Sequence, residues 1–343
     1  YLLGTPAGVL DLRTGELRPA APDDYITKLT SVAPAARPDC PRWLQFMREA
    51  TNDDQPLINF LQAFAGYALS GDTKEHSLLF IHGGGGNGKS VYQNTCAGIM
   101  GDYAKTAAME TFVASSTDKH PTDLAMLHGA RLVTASETEE GRAWAEARIK
   151  QMTGGDKISA RFMRKDFFEF IPQFKLMLIG NHQPTLRNVD EAARRRFNIV
   201  PFIHKPPAPD RDLEAKLQAE WPAILRWMIE GCLMWQRFGL IRPQVVLDAT
   251  NEYFTQQDSI RQWIDDRCET GKSTSSDTST NLFRSWTSWA NANGEKPGTA
   301  KWFAQALQRQ GFKHYRNKKT RGFFGIEAKP DQVQQHWSDR DDG

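Results

Sequence analysis

Eight consecutive residues, Gly83-Gly84-Gly85-Gly86-Asn87-Gly88-Lys89-Ser90, satisfy the pattern G-x-x-x-x-G-K-[ST] in full. Few short patterns constrain a fold as tightly. A loop of this kind needs a strand before it and a helix after it, so that backbone N–H groups converge on a phosphate at the positive end of the helix. Both flanks are present: residues 77–81 form an apolar run of strand length, and residues 91–100 read as helical. Glycines let the backbone turn tightly enough to aim successive N–H groups at one anion. Lys89 is expected to reach the β and γ phosphates and the Ser90 hydroxyl to ligate Mg²⁺, with Gly83 to Gly88 and Val91 completing the nucleotide contact. An accidental match in a chain of this length has odds of about one in a hundred from ordinary residue usage, before the flanks are weighed. The pattern therefore reads as a nucleoside triphosphatase using ATP and Mg²⁺.

Composition fits an enzyme of this kind. The 343 residues suffice for a large core and two or three domains, and 24% charged with 40% hydrophobic residues is ordinary for a soluble protein. A net charge of +2 is too small to imply nucleic-acid binding, so any such reading rests on local basic clusters. Cys40, Cys96, Cys232 and Cys268 are scattered without a C-x-x-C pair, which signals neither a zinc ribbon nor a disulfide framework and suits a reducing cytoplasm. No apolar run approaches the roughly 18 residues that span a bilayer, and no signal peptide is visible. Because the chain opens on Tyr1 rather than Met, excision from a longer protein is expected.

Alternation of strand-like and helix-like stretches over residues 71–205 predicts an α/β core with a parallel sheet. Residues 1–36 are rich in turns and proline, more like a lead-in with short hairpins than a core, and 41–69 read as helical. The resulting division is 1–70, a turn-rich and helical collar; 71–205, the P-loop core; 206–270, a helical extension; 271–330, a basic module; and 331–343, a tail. Two predicted amphipathic helices followed by a hairpin with a basic turn give that module a winged-helix outline. Its Trp residues, like Trp227 and Trp235 before it, read as core rather than base-stacking platforms.

Three strand ends in the core carry polar residues. The run 131–136 leads into Glu137, placed to hold Mg²⁺ or activate water, although Ser136 stands where many such sites carry a second acid. The metal and base roles therefore stay open between Glu137 and Glu139. The strand 175–180 ends in Asn181, an amide suited to orienting water or reporting the γ-phosphate. Beyond it, Arg194-Arg195-Arg196 offers Arg195 or Arg196 to stabilise transition-state charge in a neighbouring subunit. Two strands joined by Arg164-Lys165-Asp166 form a basic hairpin in which Arg164 and Lys165, with Arg161 from the strand, would contact phosphates. In the C-terminal module Lys313, Arg316, Lys318 and Lys319 are interleaved with Tyr315 and Phe323, a pattern for phosphate contact and stacking.

Taken in order, the glycine-rich loop, Ala135-Ser136-Glu137, Thr153-Gly154-Gly155-Asp156, Gly180-Asn181-His182, Asp190-Glu191-Ala192 and Arg195-Arg196 resemble the superfamily 3 helicase domain of phage and plasmid primase-helicases, related to the poxvirus primase-helicase. The likeness runs from about residue 9 to about residue 207. It implies an AAA+ type core working as a ring, commonly a hexamer, that translocates on single-stranded DNA and unwinds forks in the replication of a mobile element within a bacterial or archaeal cytoplasm. By position Glu137 would be the Walker B acid, Asn181 the sensor, and Arg195 or Arg196 the arginine finger. Similar sequences often carry an aromatic where Arg194 stands. The hairpin would line the ring's channel, and a primase domain or protein is the implied partner. A loader that remodels DNA without processive unwinding, or a binding and assembly module with weak turnover, is the alternative. The absence of an N-K-x-D sequence argues against a GTPase.

Overall fold

The structure, a computed structural model, describes residues 1–114, 122–137, 142–186, 190–206, 209–271, 275–295, 297–316 and 320–329. It divides into two compact units, residues 1–254 and 255–343.

The first unit opens with an antiparallel sheet of β1 (Leu2–Thr5), β2 (Gly8–Asp11) and β3 (Glu16–Arg18). Leu3, Leu10 and Leu12 are fully buried, so this segment contributes to the core rather than merely leading into it. Its strands, three or four residues long, are too short for alternation to stand out from the turns around them. Helix α1 (Pro41–Thr51) starts on a proline, tolerated because the first turn has no N–H partner to lose. Helix α2 (Gln55–Leu69) is capped by Asp54, whose Oδ1 accepts from the Leu57 N–H at 2.9 Å.

The central elements follow as β4 (Leu78–His82), α3 (Lys89–Met100), β5 (Ala104–Thr106), α4 (Thr122–Ala125), β6 (Leu132–Glu137) and α5 (Glu146–Gly154). After them come β7 (Ile158–Ala160), β8 (Phe168–Phe170), β9 (Lys175–Gly180), α6 (Glu191–Arg194) and β10 (Phe197–Pro201). Five of these strands form a wholly parallel sheet in the order β10-β4-β9-β6-β5. Helices α7 (Leu213–Ala219), α8 (Trp221–Phe238) and α9 (Gln244–Gln256) complete the unit. This is the α/β core with a parallel sheet and a helical collar segment that the sequence pattern predicts.

Both sheet faces are covered, which is why its strands read as continuous apolar runs. On one face Leu79, Ile81, Met177 and Ile179 share a core with α1, α2, α3 and α8; on the other Leu78, Phe80, Leu176 and Leu178 pack with Phe112, Trp144, Phe197 and Phe254. Alternate residues of each strand thus serve opposite cores. Helices α2 and α8 cross at Gly66 and Gly231, where backbone meets backbone: a Cβ at Gly66 would stand 2.0 Å from the Cys232 nitrogen. At the edge of the sheet where β6 and β9 begin, Arg131 donates to the carbonyls of Leu69 and Leu2, both at 2.7 Å, and the buried Lys175 donates to those of Ser70, Asp72 and Gln173. Two cations therefore gather carbonyls at the C-terminus of α2, where the helix dipole favours them, and tie the collar to the core.

The second unit contains α10 (Ser259–Arg267), β11 (Cys268–Thr270), β12 (Ser276–Thr278), α11 (Ser279–Ala292), α12 (Ala300–Arg309), β13 (His314–Arg316), β14 (Arg321–Phe324) and β15 (Ile326–Ala328). Strands β12, β14 and β13 form an antiparallel sheet in that order, and β11 pairs with β15. Three helices on such a sheet make a winged-helix-like unit with its own core, in which Trp263, Trp286, Phe303, Leu307 and Phe323 are buried. Part of the Gly/Ser/Thr-rich run after residue 270 is recruited into β12, and Thr278 caps α11 through the Asn281 N–H. Among the described residues no helix is long and apolar enough to cross a membrane.

Candidate functional site

Parallel pairing brings the key strand ends to one edge. In register, His82 of β4 stands opposite Gly180 of β9, and Gly180 opposite Glu137 of β6. The loop after β4, Asn181 after β9, and Glu137 at the end of β6 therefore emerge side by side at the carboxyl end of the sheet, where ligands of open α/β sheets bind. A cavity of about 310 Å³ lies there, lined by Gly85 to Val91, Ser136, Ile179, Gly180 and Asn181. Around Gly84, Gly85 and Gly86 an added Cβ would meet nothing within 4 Å, so the loop curls about open space large enough for an anion.

The loop is held from two sides. Gly88, the N-cap of α3, has φ +86°, and a Cβ there would stand 2.6 Å from the Phe46 ring of α1. Asn87 donates to the Phe202 carbonyl and accepts from Lys89 Nζ at 2.9 Å; Lys89 also donates to the Gly83 carbonyl at 2.6 Å. Lys89 is 6% exposed, and burial, then the nearby charge of Lys205, lowers its pKa. Both pressures favour an incoming anion. His82 is pushed down to about 4 by burial and by Lys89, so it stands neutral beside the loop at pH 7.

These residues fit a nucleotide's phosphates: the backbone cradle is open, and among the described residues its lysine is held by loop groups that a phosphate would replace. Among the described residues no group of three or more His, Cys, Asp or Glu side chains is placed to hold a metal. Mg²⁺ at phosphate sites is characteristically held by one or two protein oxygens with substrate and water, for which the Ser90 hydroxyl and a carboxylate suffice. The backbone of Glu137 is placed by β6; its side chain and the whole of Glu139 lie outside the described residues. Asn181 is exposed at the cavity wall.

The arginine triplet separates into three environments. Arg194 is engaged internally: Nη1 donates to Asn251 Oδ1 at 3.3 Å, Nε lies 3.8 Å from Glu191 Oε1, and the guanidinium sits over the Phe254 ring at 5.4 Å. Arg196 turns back to its own helix, donating to the Ala192 carbonyl at 2.6 Å, and is half-buried. Arg195 is exposed, and its guanidinium has no hydrogen-bond or ion-pair partner among the described residues, while Arg242 holds its backbone carbonyl.

The basic hairpin is present but shorter than its sequence predicts. Strands β7 and β8 pair over three residues each, leaving 161–167 as an exposed connection, so Arg161 lies in the connection rather than the strand. The cause is local: the guanidinium of Arg161 lies 4.8 Å from the Phe167 ring centroid, Phe162 stacks on Phe168, and Arg164 takes φ +60°, closing the chain before more rungs form. Arg164 and Lys165 are exposed at its tip. In the second unit Lys313 and Arg316 are exposed; Lys318 and Lys319 lie outside the described residues. Phe323 is fully buried and unable to stack on a base, whereas Phe324 is 52% exposed. Lys205 by its charge on Lys89, His82 by its place beside the loop, Phe46 against Gly88 and Phe202 through its carbonyl bear on the glycine-rich loop, although no sequence motif marks them.

Comparison with known proteins agrees with this architecture. Residues 1–52 match the family "D5 N terminal like", and residues 81–196 match a family of unknown function, DUF5906. The chain is 27% identical over 290 residues to "Putative helicase L207/L206" of Acanthamoeba polyphaga mimivirus, covering 78% of this chain and 30% of that protein. It is 26% identical over 268 residues to "Putative helicase 022R" of Frog virus 3, covering 70% and 27%, and 23% identical over 328 residues to "Putative primase C962R" of African swine fever virus, covering 85% and 33%. The chain thus spans about a third of the length of these viral relatives. In fold it resembles the apo C-terminal region of NrS-1, residues 305–718, with TM-score 0.55 at 9% identity, covering 87% of this chain and 78% of that one. Together these matches support a primase-helicase-like superfamily 3 helicase domain.

Proposed function

We propose that this chain is the motor of an ATP-dependent DNA helicase in the replication machinery of a mobile element, working as a homo-oligomeric ring, a hexamer in the simplest case, on single-stranded and forked DNA. The observation that supports the reading is the register of β4, β9 and β6, which brings the glycine-rich loop, Asn181 and the backbone of Glu137 to one end of the sheet, beside a cavity lined by the loop, Ser136 and Asn181. In this reading Lys89 would leave Gly83 and Asn87 to bind the β and γ phosphates of ATP, and Ser90 with Glu137 or Glu139 would hold Mg²⁺. The metal, when bound, neutralises charge developing on the phosphates. Glu137 accepts the proton of the attacking water, and Asn181 orients that water.

Arg195 is the member of the triplet free to reach across a subunit boundary, where it would stabilise charge on a neighbour's γ-phosphate. Arg161, Arg164 and Lys165 on the hairpin, with Lys313, Arg316, Lys318 and Lys319 in the second unit, contact DNA phosphates. A primase, on the same polypeptide or separate, is the natural partner. Displacement of a labelled strand from a forked duplex tests the proposal: the wild-type chain should release it with ATP, and Lys89→Ala should not. DNA-stimulated hydrolysis without strand release would indicate a loader instead.

A further inference from the structure

Charge is unevenly shared along the chain. Residues 255–329 carry thirteen Lys and Arg against seven Asp and Glu, although the whole chain is only +2. Within that basic unit, α12 has two chemically distinct faces. At about 100° per residue, Trp302, Phe303, Ala306 and Leu307 occupy one side, and Phe303, Ala306 and Leu307 are buried in the unit's core. Ala300, Lys301, Ala304, Gln305 and Gln308 share the opposite arc of about 140°, and Ala300, Lys301, Gln305 and Gln308 are exposed there.

That outer face has a particular composition. It holds no acid to repel phosphate, and its alanines let a groove wall approach the helix closely. It holds no aromatic, so it lacks the stacking platform on which single-strand binders depend. Lysine is a phosphate ligand, and glutamine pairs bidentately with the adenine N6 and N7 positions in the major groove. Helix α12 follows α11 directly in element order, the second of two consecutive helices ahead of the β13–β14 strands. A helix with its side chains is about 10–12 Å across, which suits a groove about 12 Å wide. The β13–β14 hairpin places the exposed Lys313, Arg316 and Arg321 in the same unit.

We propose that the C-terminal unit binds duplex DNA with sequence selectivity, α12 entering the major groove with Lys301 on a phosphate and Gln305 and Gln308 on base edges. The proposal rests on the replication reading for its choice of DNA as the polyanion, and it adds a duplex-reading site to a motor that acts on single strands. Such a site would bring the ring to chosen sequences before translocation begins.

Selection from a randomised duplex pool by the full-length chain, without nucleotide, tests it. The wild type should enrich a defined site, and Gln305→Ala with Gln308→Ala should relax preference at one or two adjacent base pairs by about 5- to 150-fold each. The same double variant should bind unrelated duplex within about threefold of wild type, because the phosphate contacts remain. It should also hydrolyse ATP normally, which separates this site from the motor. Lys301→Ala should lower the slope of log affinity against log salt by about 1. No enriched site in the wild type, the same site enriched by the double variant, or an unchanged slope in Lys301→Ala would overturn the proposal.

Discussion

Three adjacent arginines, alike in sequence, should behave differently when each is replaced by alanine. Arg194→Ala removes a hydrogen bond to Asn251, a half-exposed ion pair with Glu191 and a cation–π contact with Phe254. Each is modest, and together they should lower unfolding stability by about 1–2 kcal/mol. Arg196→Ala removes one bond to the Ala192 carbonyl but also a buried Nε that has no partner, so its net change should stay within about 1 kcal/mol. Arg195→Ala should change stability by less than about 0.5 kcal/mol, since its exposed side chain has no hydrogen-bond or ion-pair partner among the described residues. Yet it should reduce ATP turnover by about 10³-fold or more, the scale of losing an arginine finger. Urea midpoints give the stabilities, and steady-state hydrolysis at assembling concentrations gives the rates. Mixing Arg195→Ala with Lys89→Ala subunits one to one should restore activity at about a quarter of interfaces if subunits mix at random, because a head-to-tail interface draws one residue from each side. Normal turnover in Arg195→Ala, or no rescue in assembled mixtures, would refute the assignment.

Replacing Arg164 and Lys165 together with alanine should preserve basal hydrolysis, abolish most DNA stimulation and lower the salt slope of single-strand binding by about 1.4; fluorescence anisotropy across a salt series reads it. Because His82 is pushed from the usual 6.5 to about 4, the unfolded chain binds its proton first. Stability from neutral His82 should therefore be intact above pH 6.5 and fade as pH falls toward 4, so His82→Gln should flatten the urea midpoint against pH in that window. Gly66→Val, which forces a side chain against the α8 backbone, should lower stability by about 3 kcal/mol, measured by chemical denaturation.

The place of the glycine-rich loop between β4 and α3 was legible because a phosphate-binding pattern requires contiguous residues: six positions of backbone geometry followed by a lysine and a hydroxyl. Strand ends at Glu137 and Asn181 were legible for a related reason, since a buried parallel strand shows as an apolar run and its polar terminus marks the sheet edge. What supports the loop was not. Phe46 presses on Gly88 from 42 residues away, and Asn87 reaches the Phe202 carbonyl, contacts that exist only once α1 and β10 have packed. The arginine triplet shows the same limit: position along the chain cannot tell that Phe254 and Asn251 engage Arg194 while the Arg195 side chain is exposed. Phe323 and Phe324, adjacent in sequence, differ because one lies under the sheet and the other on it.

Steady-state ATP hydrolysis by the chain and by Lys89→Ala, each with and without single-stranded DNA, over concentrations spanning assembly, tests the central claim most directly. The account predicts Mg²⁺-dependent hydrolysis that single-stranded DNA stimulates and that Lys89→Ala abolishes in both conditions. Hydrolysis that persists in Lys89→Ala, or that ignores DNA at every concentration where the chain assembles, would contradict it.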